Sequence, residues 1–398
     1  MSRYLFYAVF LSVVMVVLAG THLYFYLRLV RDTALSTPWP RVFRWVLLGL
    51  AVSLVLTFPL SRLLDPPWGR LALFVPYLWM GSIFYLVVLL LGADVVRLLL
   101  WLAGKIRGGG WLLADPHHQV RFARVVALVV LAVTLVIDVV ALVTAWLPPR
   151  LRRFEVQLPG LGRALAGTRV VQLTDLHLGT TLGREYLEEV VERVAALEPD
   201  LVVLTGDAVD GLAGRRAYMV QPLARLHPPL GKYFVTGNHE FYSDWLAWRP
   251  VFEKLGFELL DNRCRTISRG DASLRLAGVY DFDGGRFDPA WRPDLDRALA
   301  GCPGTGPLLL LSHQARIVEA AAARGVDLVL AGHNHGGQIW PWSYLVLMQQ
   351  PVIAGLHRFG STWLYVSQGT GFWGPPLRFL TRSEITLIVL RGDTANSP

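Results

Sequence analysis

Five polar motifs in the second half of the chain carry side-chain types that bind divalent metal ions. The motifs are Asp175-Leu176-His177, Gly206-Asp207-Ala208-Val209-Asp210, Gly237-Asn238-His239-Glu240, Ser312-His313 and Gly332-His333-Asn334-His335. Taken singly, each has an ordinary explanation as a helix cap, a turn residue or a hydrogen-bonded histidine. Two metal ions about 3.5 to 4 Å apart, however, need a bridging carboxylate together with neutral nitrogen and oxygen donors. Such a pair of ions stabilises both the attacking and the leaving oxygen when a phosphoryl group is displaced. Together the motifs offer this donor set.

Each motif directly follows a short apolar run that predicts a buried strand. These strands are predicted at residues 168–173, 201–204, 233–235, 308–311 and 328–330, with further strands at 274–280, 363–366 and 385–390. Residues 184–197 predict a helix with apolar side chains along one face. Strands that alternate with helices indicate an α/β sheet, and the carboxyl ends of such strands line one crevice. We therefore expect the motifs to meet in one site.

The charges of the expected site favour an anionic substrate. Asp207 is the natural bridge between two ions. Two divalent ions less the carboxylates of Asp175 and Asp207 leave about two positive charges, and a bridging hydroxide reduces this to about one. A phosphate is still attracted by that charge. His239 stands beside Asn238 in the sequence and could donate a proton or a hydrogen bond to the phosphoryl group.

The motifs resemble those of the calcineurin-like metallophosphoesterase family. The matching patterns are D-x-H at Asp175 and His177, G-D-x-x-D at Asp207 and Asp210, G-N-H-E at Gly237 to Glu240, the histidine His313, and G-H-x-H at Gly332 to His335. By this resemblance, Asp175, His177, Asp207 and His335 would hold one metal ion, and Asp207, Asn238, His313 and His333 would hold the other. The resemblance also implies a two-sheet β-sandwich flanked by helices, a bridging hydroxide as nucleophile, and contact of His239 with the phosphate. His239 and Asp207 are thus the predicted catalytic residues.

The resemblance covers about residues 169–390. Residues 367–378 look like the corresponding segment of the bacterial membrane-anchored branch of the family. Arg378 in this segment could reach a substrate phosphate; a salt bridge or exposure to solvent is the alternative for this residue.

The first part of the chain is predicted to lie in a membrane. The chain is 398 residues long and 53% hydrophobic, which is too apolar for a purely soluble protein. Apolar stretches at residues 4–27, 42–64, 71–91 and 125–147 are each long enough to cross about 30 Å of hydrocarbon as a helix. We therefore predict a transmembrane region of four helices at residues 1–149 and a metallophosphoesterase catalytic domain at residues 150–398.

Three polar features of the membrane region leave alternatives open. Asp138 lies inside the fourth span and is either a functional group or a partner of a polar group on a neighbouring helix. Residues 92–118 contain charges, three consecutive glycines and the pair His117 and His118, and predict a flexible interfacial loop. The two histidines could bind metal, but sequence neighbours rarely converge without further ligands.

The side of the membrane on which the catalytic domain lies is weakly encoded. Nine Lys and Arg residues lie in or beside the first and third loops, and six lie on the other side of the membrane. Because cytoplasmic loops carry the excess of Lys and Arg, this count favours a catalytic domain outside the cytoplasm. A disulfide between the cysteines Cys264 and Cys302 would form only if the domain faces an oxidising space. The net charge of +8 is spread beside apolar segments rather than along a basic stripe, so no nucleic-acid partner is expected.

These observations predict a membrane-anchored dimetal phosphohydrolase, located as a multi-pass protein in a bacterial inner or plasma membrane. Its cofactors would be two divalent ions, and a mixed His, Asp and Asn site suits manganese, iron, zinc and others. Its substrate would be a phosphoester or a pyrophosphate, and the membrane location suggests a lipid-linked or other envelope phosphate. Monoesterase, diesterase and pyrophosphatase activities remain open. The alternative is a non-catalytic membrane scaffold or transporter with a metal-binding, phosphoesterase-like domain.

Overall fold

The computed structural model describes residues 3–106, 115–302 and 304–392. The chain forms two compact units. The first contains Met1–Leu60 and Ala72–Val140, and the second contains Ser61–Leu71 and Ala141–Pro398. The short segment Ser61–Leu71 thus belongs to the same unit as the C-terminal part of the chain.

Four long helices are apolar and long enough to cross a membrane, as the sequence predicts. They are α1 (Arg3–Phe25, followed by one π-helical segment, Tyr26–Arg31), α2 (Trp39–Leu63), α3 (Trp68–Ile106) and α4 (Pro116–Trp146). Each has a mean hydropathy of 1.9 or more in its most apolar part. The chain is therefore a membrane protein.

The prediction of a loop at residues 92–118 is wrong for most of this range. Helix α3 continues to Ile106, and α4 begins at Pro116, so that His117 and His118 lie exposed in its first turn. The charges in this stretch do not break α3 because ion pairs accommodate them: Arg28 Nη2 lies 3.0 Å from Asp94 Oδ2. The three glycines at 108–110 lie outside the described residues.

Polar side chains between the helices of the first unit pair with one another. Asp138 in α4 accepts a hydrogen bond of 2.6 Å from Ser82 in α3, which is the second of the two alternatives for this residue. Trp79 Nε1 lies 3.0 Å from His22 Nε2. Pairing of this kind reduces the cost of placing polar groups among apolar helices.

The second unit contains two six-stranded mixed sheets. The strands are β1 (Arg150–Gln157), β2 (Arg169–Leu173), β3 (Leu201–Thr205), β4 (Lys232–Val235), β5 (Phe257–Leu259), β6 (Arg263–Arg269), β7 (Ala272–Gly278), β8 (Leu308–Leu311), β9 (Leu328–Ala331), β10 (Gly355–Phe359), β11 (Thr362–Val366) and β12 (Glu384–Arg391). The first sheet has the order β1-β12-β2-β3-β4-β5, and the second has the order β10-β11-β9-β8-β7-β6. In the first sheet β2, β3, β4 and β5 are parallel, and in the second β7, β8, β9 and β11 are parallel.

Short helices connect the strands. They are α5 (Arg184–Ala195), α6 (Ala213–Arg216), α7 (Asn238–Tyr242), α8 (Trp245–Lys254), α9 (Leu295–Ala300), α10 (Val318–Ala322) and α11 (Ser343–Val346), with 3-10 turns at Arg163–Leu165, Ala217–Met219, Gln221–Arg225, Gly284–Arg286, Pro289–Trp291, Ala315–Ile317 and His335–Gly337. The predicted helix at 184–197 is α5.

The central strands are apolar on both faces, which explains their unbroken hydrophobic runs. In β3, Leu201 and Val203 face the core between the two sheets, whereas Val202 and Leu204 face the helices on the outer side. In β9, Leu330 faces the inner core, and its neighbours pack on the helices of the other side. Side chains alternate along a strand, so a strand with both faces covered must be apolar throughout. The result is the predicted two-sheet sandwich flanked by helices.

The two cysteines are joined in a disulfide. Cys264 in β6 and Cys302 after α9 have Cα atoms 5.2 Å apart. This pairing ties an edge strand to the helix that packs on it.

Candidate metal centre

The eight predicted site residues lie together at the carboxyl ends of five central strands. Strands β2, β3 and β4 end at the same edge of the first sheet because they are parallel neighbours, and β8 and β9 do so in the second sheet. The loops that follow these strands carry Asp175, His177, Asp207, Asn238, His239, His313, His333 and His335. His239 and His333 are partly exposed and the other six are buried. The structure thus brings together all eight residues that the sequence predicts for the metal centre.

One group of potential ligands surrounds His335. Its Nε2 lies 3.1 Å from His177 Nε2 and 3.3 Å from Asp175 Oδ1. Asp175 is fully buried, and its carboxylate accepts hydrogen bonds from the backbone N–H of His333 and from Thr174 Oγ1. One potential ligand atom from each of Asp175, His177 and His335 lies within 4.8 Å of the other two. This spacing would allow all three residues to bind the same metal ion.

A second group of potential ligands surrounds His313. Its Nε2 lies 3.1 Å from Asp207 Oδ2 and 3.1 Å from His333 Nδ1. Asp207 Oδ2 also lies 3.7 Å from His177 Nε2, which belongs to the first group. Asp207 is therefore positioned between the two groups, as a bridging carboxylate would be.

The loops hold five of the eight residues in the left-handed backbone region: Asp175 (φ 53°), His177 (φ 46°), Asp207 (φ 51°), His333 (φ 70°) and His335 (φ 48°). Non-glycine residues adopt this region at some energetic cost, and such residues cluster at functional sites. The loops also approach one another closely. A Cβ atom on Gly237 would collide with the carboxylate of Asp207, so only glycine fits there.

Hydrogen bonds on the far side of two histidine rings select the tautomer that leaves Nε2 free to bind a metal ion. His313 Nδ1 lies 2.8 Å from the carbonyl oxygen of Thr205, and His177 Nδ1 lies 3.2 Å from Asp210 Oδ2. Each Nδ1 therefore donates a proton to an acceptor, and Nε2 points into the site. This arrangement fixes the ring orientation and makes Nε2 the better ligand.

His239 is held by Asp210. Its Nδ1 lies 2.5 Å from Asp210 Oδ1, and its ring packs edge-on against that of His177. Burial lowers the pKa of His239, but the carboxylates of Asp207 and Asp210 outweigh burial and raise the pKa to about 9. The Asp210 carboxylate beside Nδ1 thus favours the protonated form of the imidazole. The sequence motif contains Asp210 but does not reveal its role. In the structure Asp210 orients both His177 and His239.

Glu240 fastens two of the loops together. Its fully buried carboxylate accepts hydrogen bonds from the backbone N–H groups of Asp207 (2.9 Å), Ala208 (2.8 Å) and Gly237 (2.7 Å). Burial and the nearby Asp207 carboxylate raise the pKa of Glu240 to about 7. Its contacts position Asp207 and the turn that carries Asn238.

Arg378 is not exposed to solvent, which excludes one of its expected roles. The side chain is fully buried, and its guanidinium contacts carbonyl groups within the protein. It donates hydrogen bonds to the carbonyl oxygens of Gln368 (2.8 Å), Gly371 (2.6 Å) and His335 (3.2 Å). Burial lowers the pKa of Arg378 to about 10. Arg378 thus braces the loop that carries His335.

Arg216 connects the site to the segment Ser61–Leu71, in which α2 ends and α3 begins. Its buried guanidinium donates to Asp65 Oδ1 at 2.8 Å, and to the carbonyl oxygens of Ser61 and Leu64. Its Nη1 donates to the carbonyl oxygen of Asp210 at 2.6 Å. The loop between α2 and α3 therefore supports the residue that orients His177 and His239. Sequence reasoning missed this contact.

The residues fit divalent metal ions. Asn238 Oδ1 is buried and has no hydrogen-bond partner within the part of the chain that the structure describes. A buried acceptor without a donor is costly unless a cation satisfies it. Burial, followed by the proximity of His313, lowers the pKa of His333 to about 3, so its imidazole is neutral and free to coordinate. The donor set of imidazole, carboxylate and amide oxygen suits first-row divalent ions.

A two-sheet sandwich with such a cluster at its strand ends defines a metal-dependent phosphoesterase. The model of the calcineurin-like phosphoesterase family matches residues 168–337. An uncharacterized metallophosphoesterase of Campylobacter jejuni is 30% identical over 392 residues, which is 97% of this chain and 99% of that protein. The chain belongs to the calcineurin-like metallophosphoesterase family, and the resemblance drawn from its motifs is confirmed.

Two vertebrate relatives are named transmembrane protein with metallophosphoesterase domain. The one from Danio rerio is 38% identical over 269 residues, which is 66% of this chain and 62% of that protein. The one from Bos taurus is 36% identical over 306 residues, which is 74% of this chain and 67% of that protein. The alignment thus spans less than two thirds of the Danio rerio protein. The individual roles of the eight site residues stay predictions.

Proposed function

We propose that the chain is a membrane-anchored phosphohydrolase that uses two divalent metal ions to cleave a phosphoester or pyrophosphate bond. The observation that carries the proposal is the position of Asp207, whose Oδ2 lies 3.7 Å from His177 Nε2 and 3.1 Å from His313 Nε2. One carboxylate between two histidine groups is what a pair of neighbouring ions requires. Asp207 would bridge the ions; the first would also take Asp175, His177 and His335, and the second would take Asn238, His313 and His333.

The protein side chains divide the remaining work between them. When bound, the two ions would activate a water molecule for attack and neutralise charge on the phosphoryl oxygens. His239 presents a ring whose Nδ1 is held by Asp210, which leaves Nε2 as the nitrogen available to a substrate oxygen. Because Asp210 holds Nδ1 and favours the protonated ring, this imidazole would donate a proton or a hydrogen bond from Nε2.

The experiment is a comparison of purified wild type and Asp207→Ala in detergent with manganese. We expect the wild type to hydrolyse an aryl phosphate, a phosphodiester or a lipid pyrophosphate. Asp207→Ala should lose this activity and most of the bound metal, because it removes the shared ligand. Asp271→Ala is the control, since Asp271 is an exposed carboxylate in the turn between β6 and β7. An Asp207→Ala enzyme as active as the wild type would show that the proposal is wrong.

We further propose that the catalytic domain lies outside the cytoplasm of a bacterial cell, anchored in the inner or plasma membrane. The excess of Lys and Arg beside the first and third loops supports this side. The disulfide between Cys264 and Cys302 supports it independently, since disulfides persist in oxidising compartments. The test is a reporter that is active only in the cytoplasm, fused after Pro398. We expect no signal from this reporter, and a strong signal would show that the catalytic domain lies in the cytoplasm.

The substrate that we propose is an anionic phosphate that is lipid-linked or part of the envelope. Four membrane-capable helices confine the catalytic domain to the neighbourhood of a bilayer, which favours substrates held there. The expectation that nucleic acid is not a partner remains a prediction, and a filter-binding measurement with duplex and single-stranded DNA would test it.

A further inference from the structure

A strongly apolar, exposed segment follows the metal centre directly. We call it the 340–348 surface; its exposed side chains are Trp340, Trp342, Tyr344, Leu345, Leu347 and Met348. Met348 is 80% exposed. The sequence from Asn334 to His357 contains no Asp, Glu, Lys or Arg. A contiguous exposed apolar patch without charges usually marks a surface that is covered in the working protein.

Backbone and side-chain hydrogen bonds tie this surface to the segment that contains Trp373 and Leu380. Gln338 Nε2 donates to the carbonyl oxygen of Trp373 at 2.8 Å, and the N–H of Trp340 donates to the carbonyl oxygen of Phe379 at 3.1 Å. Trp373 is 51% exposed and Leu380 is 74% exposed. The two segments therefore lie side by side, and both carry exposed apolar side chains.

The same segment is fixed to the last turns of α4, which belong to the same compact unit. The ring of Phe372 packs edge-on against Trp146, with centroids 5.6 Å apart. The N–H of Arg378 donates to the carbonyl oxygen of Ala141 at 2.9 Å. Since the apolar run of α4 ends at Leu147, these turns mark the place where a membrane-spanning helix leaves the hydrocarbon. The apolar surface is thus anchored at a membrane boundary.

We propose that the 340–348 surface, with Trp373 and Leu380, inserts into the interface of a phospholipid bilayer and opens the metal centre toward phosphates at that membrane surface. Trp and Tyr rings are the side chains that prefer this interface, because they combine an apolar body with a polar edge. Contact with the end of α4 favours the bilayer over a soluble partner as the occupant. The part of the proposal that concerns the metal centre rests on the proposed phosphohydrolase function; the insertion itself does not.

The surface adjoins the site closely enough to guide a lipid phosphate into it. The ring of Trp373 lies edge-on to that of His239, with centroids 5.6 Å apart. Gln338, which binds the Trp373 segment, follows His335 by three residues. A head group at the bilayer surface would therefore meet the side of the centre that carries His239. The substrate class that we propose is therefore a phosphate ester or anhydride in the head group of a membrane lipid.

The first test locates the surface without using activity. The full-length chain carrying Met348→Cys is labelled with the fluorophore NBD and placed in vesicles of phosphatidylcholine and phosphatidylglycerol that contain a nitroxide lipid. We expect a blue shift and strong quenching. The control is the same label at Asp271→Cys. Asp271 precedes β7, which runs parallel to β8, so it lies at the end of the sheet opposite His313. Equal, weak quenching at both positions would overturn the proposal, as would a blue shift at 348 without quenching, which would indicate a protein partner or second copy.

The second test concerns the route of the substrate. The double variant Leu345→Glu and Met348→Glu should raise KM for a lipid phosphate in vesicles by about tenfold or more, which corresponds to about 1.4 kcal/mol of lost binding. Its kcat/KM on an aryl phosphate in detergent should match the wild type. An equal loss on both substrates, or no loss on either, would overturn the route. If the wild type hydrolyses no phosphate at all, the proposed function fails, while the quenching result still decides whether the surface binds the bilayer.

Discussion

Replacing Asp65 with alanine tests whether the loop between α2 and α3 supports the metal centre. Asp65 accepts the hydrogen bond from Arg216 Nε, and Arg216 Nη1 donates to the carbonyl oxygen of Asp210. Asp210 in turn holds His177 and His239. Loss of Asp65 should therefore lower stability and disturb the orientation of both histidines.

The magnitude follows from the contacts that remain after the change. Arg216 is buried and keeps its neutral acceptors, which are the carbonyl oxygens of Ser61, Leu64 and Asp210 and the hydroxyl of Thr180. The cost should therefore approach that of one charge-assisted hydrogen bond, about 1.5 to 3 kcal/mol. It should stay below the roughly 3 to 5 kcal/mol of an orphaned buried charge, because the Asp65 side chain is already 26% exposed.

The assay is thermal unfolding in detergent, together with hydrolysis of an aryl phosphate. A loss of about 2 kcal/mol corresponds to a melting temperature lower by roughly 4 to 8 °C. A misplacement of His239 should lower kcat by about tenfold. Asp65→Asn should lose less stability, because the amide oxygen still accepts from Arg216.

Arg215→Gln is the matched control for this prediction. Arg215 also pairs with Asp65, at 3.2 Å, but its side chain is 45% exposed. An exposed ion pair of this kind contributes less than about 1 kcal/mol. If Asp65→Ala melts at the wild-type temperature, or no lower than Arg215→Gln, the reasoning about the buried guanidinium is refuted.

Three further predictions follow from the same set of contacts. Glu240→Gln should lower the free energy of unfolding, measured in urea, by about 2 to 3 kcal/mol, because an amide cannot accept from three backbone N–H groups. The control is Glu253→Gln at an exposed position, which should change the free energy of unfolding little. Arg378→Met should weaken metal binding in a titration with manganese, since it leaves the carbonyl oxygens around His335 unpaired; unchanged affinity would contradict the bracing role. His333→Ala and His335→Ala should each lower bound metal by depleting a different site, and full occupancy in both variants would refute the assignment.

The cluster of potential metal ligands could be predicted from the sequence because its geometry is largely local to each strand end. Asp207 follows β3 by two residues, and His313 follows β8 by two residues, so the strand itself sets where the side chain lies. Parallel neighbours then bring such positions to one edge without further information. The same reasoning explains why the predicted central strands agree with the observed ones to within two residues at their ends.

Four strands escaped prediction, and all four are edge strands: β1, β5, β6 and β10. Edge strands face solvent along one side, and charged residues there discourage pairing with other chains. β1 has the sequence RLRRFEVQ and is largely exposed, so it lacks the apolar run that reveals β3. β5 has only three residues, too few for a pattern.

The supporting arginines could not be found for a different reason. Arg216 and Asp65 are 151 residues apart, and neither stands in a motif. Arg378 stands in a recognisable segment, but its partners are backbone carbonyl groups, which any sequence supplies. A buried cation with such partners depends on the finished tertiary fold. Its position therefore becomes visible only in the structure.

The left-handed backbone at His333 allows a test of how strongly the fold holds the metal loops in place. Glycine adopts φ of 70° without the steric penalty that alanine pays through its Cβ. His333→Gly and His333→Ala both remove the imidazole, but only alanine keeps the penalty. In the presence of a chelator, His333→Gly should therefore be more stable than His333→Ala by about 1 kcal/mol, measured by urea unfolding. The reverse order would mean that the loop relaxes out of this conformation without metal, so that the ions, rather than Glu240 and Arg378, would hold it.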